Sequence, residues 1–334
     1  MRQIKSFWKI FLLLALAAFI PLISGCGNAK DATAAQAVAS HTVEGYDGVI
    51  VSLSKKPMRI MTDSITFDTM VVGIVPPEHL ISANYLDDDP TISYIAEATK
   101  NIQVKRKTFG IFTAEYALQL KPDLIILSHY VKPEAVQTFR DMGFPVLVCK
   151  SPTDVADIKA DITLIAKALD EEPAGTRIIA EMDRQLHEID IVMQKQKGPM
   201  PVGMLVSRMT NYGGKGSMFD ELCQKAHITN GIAKAGLNQG DFLAKELVVK
   251  ADPDFFLISG PNDRVDYIDT DKFNEEFLQD PAFHGLKGLQ KVIPIPDRYL
   301  YSNSQNCVYA IKGLVNYAYG NLFDLRDEHL IKGY

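Results

Sequence analysis

Short apolar runs alternate with longer amphipathic stretches from about residue 46 onward, and the apolar runs are the candidate strands. They are residues 48–52, 59–61, 80–83, 123–128, 145–149, 202–207, 255–259 and 292–296. The stretches between them, such as residues 113–120 and 133–142, have the periodicity of helices. Strands that alternate with helices predict an α/β fold, in which parallel sheets are covered on both faces.

Residues 153–196 break this alternation, because two long helical patterns follow each other there with almost no strand candidate between them. The patterns cover residues 153–169 and 173–196, with Pro173 in a first turn and Gly198 and Pro199 as a stop. A helix of about 24 residues spans roughly 36 Å, enough to bridge two lobes. The chain is therefore predicted to form two Rossmann-like lobes, residues 46–172 and 198–334, joined by one long rigid helix, residues 173–197.

An internal repeat supports two related lobes. The segment from Glu115 to Ser128 and the segment from Glu246 to Ser259 share glutamate, Pro-Asp and serine in one register. A helix precedes each proline and an apolar strand follows it. A Pro-Asp pair before a buried strand is common, but the shared register with glutamate and serine indicates a duplicated unit.

The segment from Met1 to Cys26 is typical of a lipoprotein signal peptide. Arg2, Lys5 and Lys9 precede an apolar run at residues 10–20, and Ile-Ser-Gly leads to Cys26. The apolar run is short for a spanning helix, which needs about 20 residues. We therefore expect cleavage after residue 25, a lipid on Cys26 and a flexible tether over residues 26–45; an uncleaved N-terminal anchor is the alternative.

Charge and cysteine content narrow the class of protein. The net charge of −6 becomes −9 once residues 1–25 are removed, since they carry three positive charges and no negative one. An acidic protein of this kind is a poor match for nucleic acid. Cys149, Cys223 and Cys307 are widely spaced, so neither a disulfide framework nor a zinc motif is expected.

With these features, residues 46–330 resemble the substrate-binding proteins of ABC importers for iron–siderophore complexes, haem and cobalamin. The resemblance lies in the lipobox, the segment at residues 115–128, the mid-chain helix, and the segments at residues 214–230 and 280–294. It implies the class III periplasmic-binding fold, a monomer outside the cytoplasm with no cofactor of its own, and an ABC permease with its ATPase as partner. It also implies that Glu115 and Glu246 dock against arginines of that permease.

The ligand is expected in a cleft between the lobes, because loops at the carboxyl ends of the strands converge there. These loops are rich in arginine and in aromatic residues, which suit the oxygens and flat surfaces of an anionic metal chelate. We favour a ferric siderophore, with haem or cobalamin as the alternatives. The candidate ligand-binding residues are Phe109, Phe112, His129, Tyr130, Arg208, Tyr212, Arg264, Arg298, Tyr299 and Tyr301.

Other site chemistries are weaker. His129 and Tyr130 are residue types that ligate iron directly, but the seven histidines are scattered and do not indicate a bare-metal site. Asp87, Asp88 and Asp89 are followed by Pro90 and predict a turn. The glycine-rich residues 213–217 lack the Gly-Lys-Ser/Thr order of a phosphate loop. No nucleophile elbow or dinucleotide fingerprint is present, so we expect a binding protein; an extracytoplasmic enzyme on a similar scaffold is the alternative.

Overall fold

The computed structural model describes residues 41–107, 113–207, 209, 211–260, 269–301 and 303–334. The described strands are β1 (His41–Glu44), β2 (Ile50–Leu53), β3 (Ile60–Thr62), β4 (Ala83–Asn84), β5 (Lys105–Arg106), β6 (Leu124–Ser128), β7 (Val146–Cys149), β8 (Val202–Val206), β9 (Thr229–Asn230), β10 (Phe255–Ser259) and β11 (Val292–Ile295).

The described helices are α1 (Ile65–Ile74), α2 (Ala96–Thr99), α3 (Ala114–Leu120), α4 (Pro133–Asp141), α5 (Val155–Ala168), α6 (Glu172–Met193), α7 (Met218–Lys225), α8 (Gly231–Lys234), α9 (Lys245–Ala251), α10 (Thr270–Leu278), α11 (Asp297–Tyr301) and α12 (Cys307–Tyr319). Short 3₁₀ helices lie at Pro77–His79, Tyr85–Asp88, Pro281–Phe283 and Lys287–Gln290. The one at Tyr85–Asp88 begins the predicted acidic turn, in which Asp87 accepts hydrogen bonds from the Asn84 amide and the Ser93 hydroxyl.

Parallel sheets lie on both sides of α6 in the sequence, which confirms the predicted fold class. Before α6, the strand order is β3-β6-β7, with a β-bridge from Ile60 to Leu80 and the pair β4-β5 continuing from there. After α6 the order is β11-β10-β8-β9, and every pairing is parallel. The central strands β6 and β10 are almost wholly buried, which explains why they are continuous apolar runs in the sequence.

The long helix α6 has 22 residues, or about 33 Å. Pro173 stands in its first turn, where a missing N–H costs nothing. Its buried stripe, from Ala174 through Ile178 and Met182 to Ile189 and Met193, packs into the main apolar core. Core contacts therefore run along the length of α6, and its role as a rigid helix between two lobes stays a prediction.

The first strands correct the prediction in two ways. Residues 41–44 were assigned to the tether, but they form β1, where Val43 is buried. The next apolar run was expected in a parallel sheet, yet β2 pairs with β1 in an antiparallel hairpin. The physical reason is the tight turn between them, in which the Gly48 amide donates to the Gly45 carbonyl and Gly48 has a φ of 75°.

The sequence repeat is a repeat in structure. Helix α3 and strand β6 correspond to α9 and β10 residue for residue, with one constant shift in numbering. Each helix ends on a non-glycine residue in the left-handed region, Lys121 with φ 50° and Asp252 with φ 45°. The aspartate after each proline then accepts backbone N–H groups at the start of the neighbouring strand: Asp123 from Arg59 at 2.7 Å, and Asp254 from Val202 at 2.6 Å.

The C-terminal tail, defined as residues 321–334, contacts elements on both sides of α6. The Gly333 amide donates to the Gly73 carbonyl in α1 at 2.9 Å, and the Arg177 guanidinium in α6 donates to the Gly333 carbonyl at 2.5 Å. The Glu328 carboxylate accepts hydrogen bonds from Tyr94 at 3.3 Å, from Arg298 at 3.1 Å and from the Tyr299 hydroxyl. The tail therefore ties the two sheet-containing halves together.

Candidate functional site

The two halves meet where loops leave the carboxyl ends of their strands. The Arg298 amide, just after β11, donates to the Thr91 carbonyl at 2.9 Å, and its guanidinium donates to the Pro90 carbonyl at 2.7 Å. A cavity of about 230 Å³ lies beside this contact, lined by Thr91, Gly260 and residues 294–298. Pockets for small molecules usually exceed about 300 Å³, so this cavity holds only part of a chelate. It lies where the two halves of the chain contact each other.

Arg298 and Tyr299 are already engaged by the protein. The guanidinium of Arg298 lies 5.3 Å from the ring centre of Tyr94 and 5.5 Å from that of Tyr299, and it forms an ion pair with Glu328. Tyr299 is only 5% exposed, and burial together with the Glu328 carboxylate raises the pKa of its hydroxyl. In this conformation both residues connect the halves of the molecule, and their contact with ligand stays a prediction.

Tyr212 and Tyr301 lie together at the end of β8. Their ring centres are 5.6 Å apart. The Tyr212 hydroxyl donates to the Leu300 carbonyl at 2.8 Å, and the Tyr301 hydroxyl lies 2.8 Å from the Ser207 hydroxyl. Burial raises the pKa of Tyr212, so it stays neutral and offers a polar tip on an apolar ring.

His129 lies between two tyrosines at the end of β6. Its ring centre is 4.1 Å from that of Tyr130 and 5.3 Å from that of Tyr46, and the two tyrosines are 71% and 55% exposed. We call Tyr46, His129 and Tyr130 the aromatic trio. Tyr46 could not be selected from the sequence, since nothing local links the β1–β2 turn to β6; the link is the Tyr46 amide, which donates to the Val148 carbonyl in β7.

A hydrogen bond fixes the tautomer of His129. The Ser151 amide donates to its Nδ1 at 2.9 Å, so in the neutral ring the proton is on Nε2. Burial, and then the charge of Lys150, lower the pKa of His129 and favour that neutral form. Metal ligation through Nε2 would require moving the proton to Nδ1 and breaking the Ser151 bond. The geometry therefore suits stacking or hydrogen-bond donation better than direct ligation.

A buried polar cluster lies beneath the ends of β3 and β5. Arg106 pairs with Asp68, which also accepts from the Thr62 hydroxyl and the Asn84 amide. Arg106 is 5% exposed, yet its Nε and Nη1 have no hydrogen-bond partner. Asp63 accepts from the Ser128 amide with one oxygen only, and burial raises its pKa. No sequence pattern selects Arg106, because its burial arises only from tertiary packing.

Glu115 and Glu246 are exposed in the first turns of α3 and α9. Neither carboxylate forms an ion pair within the described part of the chain. The Glu115 backbone amide and the Thr113 hydroxyl lower the pKa of Glu115, so it is ionised at neutral pH. Both glutamates are available to cations of a partner.

Several candidates fall outside the described residues, namely Cys26, Phe109, Phe112, Arg208 and Arg264. Within the described ranges, no cluster of histidine, cysteine and carboxylate residues could hold a metal ion, and no helix is both long and apolar enough to cross a bilayer. Cys149, Cys223 and Cys307 are buried free thiols.

Parallel sheets before and after one long helix give the mixed α/β fold of a periplasmic solute-binding protein. The chain belongs to the periplasmic binding protein family, whose model matches residues 73–297. This is the class III family of binding proteins, which serve ABC importers for siderophores, haem and cobalamin. Membership of this family places the protein outside the cytoplasm. A comparison with curated protein sequences gave no significant match.

Solved structures share the fold. The periplasmic haem-binding protein RhuT from Roseiflexus sp. RS-1, in apo form, has a TM-score of 0.66 and 20% identity, over 79% of this chain and 98% of that one. CeuE from Helicobacter pylori with Ni(II) bound has a TM-score of 0.67 and 18% identity, over 84% and 89%. The periplasmic haem-binding protein BhuT with two haems has a TM-score of 0.64 and 22% identity, over 78% and 97%.

Proposed function

We propose that the protein is the receptor lipoprotein of an ABC importer, and that it captures an iron complex in the cleft and delivers it to the permease. The observation that carries this proposal is the contact between loops that follow strands of both sheets, where Arg298 binds Thr91 beside a cavity. A solute bound there contacts both halves at once. A partner that contacts both halves can therefore detect whether the solute is bound.

The chemistry of the cleft favours a flat or anionic chelate. The aromatic trio offers stacking surface on the first half, and Tyr212 and Tyr301 offer it on the second. Arg106 contributes two buried donor nitrogens, Nε and Nη1, which have no hydrogen-bond partner and suit carboxylate or catecholate oxygens. A ferric siderophore is the favoured ligand.

Haem is the second candidate, with cobalamin behind it. The exposed rings of Tyr46 and Tyr130 on either side of His129 suit a planar macrocycle, and RhuT and BhuT are haem-binding proteins of the same fold. We expect no catalytic step by the protein itself and no resident cofactor, because the metal arrives within the ligand.

The lipid on Cys26 would keep a monomeric receptor beside its permease. A single acyl chain gives marginal anchoring and stable anchoring needs more than one chain. With the polar tether after Cys26, such an anchor raises the effective concentration of receptor at the membrane surface. Docking would use Glu115 and Glu246, one on each side of the cleft.

The test is a titration of the lipid-free mature chain with a panel of ferric siderophores, haem and cobalamin. Trp8 is the single tryptophan and is lost with the signal peptide, so tyrosine fluorescence and the visible spectrum of the ligand are the readouts. We expect saturable one-to-one binding to one class of ligand, with a dissociation constant in the micromolar range or below. Failure to bind any of the three classes would overturn the proposal.

A further inference from the structure

The repeat places an exposed aliphatic side chain one turn after each docking glutamate. Leu118 in α3 is 53% exposed and Val249 in α9 is 41% exposed, and the two occupy equivalent positions of the repeat, as do Glu115 and Glu246. The preceding residues, Ala117 and Val248, are both fully buried. The two helices therefore present the same polar and apolar positions to solvent.

Topology places each of these surfaces at the carboxyl-end edge of its own sheet. Each helix leads through a short turn into the amino end of its strand, β6 or β10, and runs back against it. The first turns of the helices thus lie toward the carboxyl ends of the strands, where the cleft opens. Glu115 with Leu118 and Glu246 with Val249 therefore occupy the same place relative to their own sheets.

We propose that Leu118 and Val249 complete a docking face whose two halves are equivalent, each half being a glutamate and an aliphatic residue one helical turn later. The occupant is the importer's permease, and the inference rests on the proposed function. Both carboxylates lack an ion-pair partner among the described residues, so each half offers a free negative charge beside an apolar contact. The permease surface that fits it presents two copies of one site, a basic side chain next to an apolar recess.

Complementary charge steers the approach and sets the register, whereas burial of the aliphatic side chains holds the complex. Loss of either aliphatic contact should therefore speed dissociation. Because the two halves are equivalent, Leu118 and Val249 should contribute equally. Their substitution should leave ligand binding unchanged, since neither side chain lines the cavity.

The test measures binding of the ligand-free receptor to its permease and ATPase in nanodiscs, the cognate permease being the one whose ATP hydrolysis the wild-type receptor stimulates. Leu118→Ser and Val249→Ser should each weaken binding about tenfold, and the double variant about a hundredfold, mostly through faster dissociation. The matched control is Ile191→Ser, at a 43% exposed aliphatic on α6, which should bind as wild type. Melting temperatures confirm that all variants fold.

The outcomes separate the two proposals. If both serine variants bind within twofold of wild type while Glu115→Lys with Glu246→Lys abolishes docking, the aliphatic contacts are refuted and the proposed function stands. If only one serine variant weakens binding, the equivalence of the two halves is refuted. If the wild-type receptor stimulates no ABC permease, the proposed function falls and the docking face with it.

Discussion

A single hydrogen bond fixes the tautomer that His129 would present to a ligand. With the Ser151 amide on Nδ1, the neutral ring packs edge-on to Tyr46 and tilted against Tyr130, and it is not a free metal ligand. His129 and Tyr130 could be selected from the sequence as candidate ligand-binding residues because they follow a strand. Tyr46 and Arg106 could not be selected in this way. Their places in the site depend on contacts across distant segments of the chain.

Substitutions of His129 distinguish stacking from ligation. His129→Phe keeps the ring and should hold affinity for the bound chelate within threefold, whereas His129→Ala should weaken it about tenfold, the usual scale of one aromatic contact. Affinity and the visible spectrum of the metal chelate are measured together. An equal loss in both variants, with shifted metal bands, would mean that His129 ligates the metal.

Asp161 is a buried carboxyl whose environment opposes its charge. One oxygen accepts from the Lys150 amide at 3.3 Å and the other has no partner; burial, followed by the nearby charge of Asp157, raises its pKa to about 7. Unfolded aspartate titrates near 3.9, so the unfolded state loses its proton first. The fold is therefore destabilised progressively as the pH rises from about 4 to 7.

Asp161→Asn should remove this penalty. We expect the variant to exceed wild type in free energy of unfolding by up to about 4 kcal/mol at pH 8, and to match it near pH 4. Urea unfolding at both pH values measures the difference. The matched control is Asp157→Asn, which should destabilise at pH 8, because Asp157 accepts from Lys150 and Thr153. Equal stability of Asp161→Asn and wild type at pH 8 would contradict the assignment.

At the scale of elements, the sequence predicted most strands and the two longest helices, α5 and α6. The central strands were found because they are buried on both faces and are continuous apolar runs. The prediction that β2 lies in a parallel sheet was wrong, since apolar periodicity does not distinguish an antiparallel hairpin from a parallel strand. Helix α1 was not identified: nine of its ten residues are buried, and a helix buried on all sides has no polar face to produce a period.

The two aspartates of the duplicated unit, Asp123 and Asp254, should make similar contributions to the stability of the protein. Asp123→Ala and Asp254→Ala each leave backbone N–H groups of the neighbouring strand without an acceptor. Each substitution should therefore lower the free energy of unfolding by about 1–3 kcal/mol. Chemical denaturation of the two variants checks this. A loss in one variant and none in the other would show that the repeat is equivalent in geometry but not in energy.

For the whole molecule, the C-terminal tail adds a second connection beside α6. We expect that removal of residues 327–334 lowers the melting temperature and speeds backbone hydrogen exchange in α1, where the tail is bonded to Gly73. Gly333→Ala is a point substitution with the same expected effect as the truncation. Its Cβ would lie 2.2 Å from the Ala174 carbonyl oxygen, so the tail would have to shift. Arg326→Ala, which breaks an exposed ion pair with Asp324, is the control. Unchanged exchange in α1 of both tail variants would refute the connection.

With two connections between the halves, ligand binding should change the molecule little. This agrees with the limited closure expected from a long rigid helix alone. Small-angle scattering profiles of the free and the ligand-saturated protein should nearly coincide, and a marked compaction on binding would contradict a rigid two-lobed receptor.

We propose above all that an iron complex is held between the strand ends of the two sheets. Anomalous diffraction at the iron edge, from crystals of the protein loaded with the chelate that it binds, locates the metal directly. We expect one iron peak in the cleft, above the cavity between Thr91 and residues 294–298 and within reach of the aromatic trio. An iron peak on the outer surface of either half, away from the cleft, would contradict the claim.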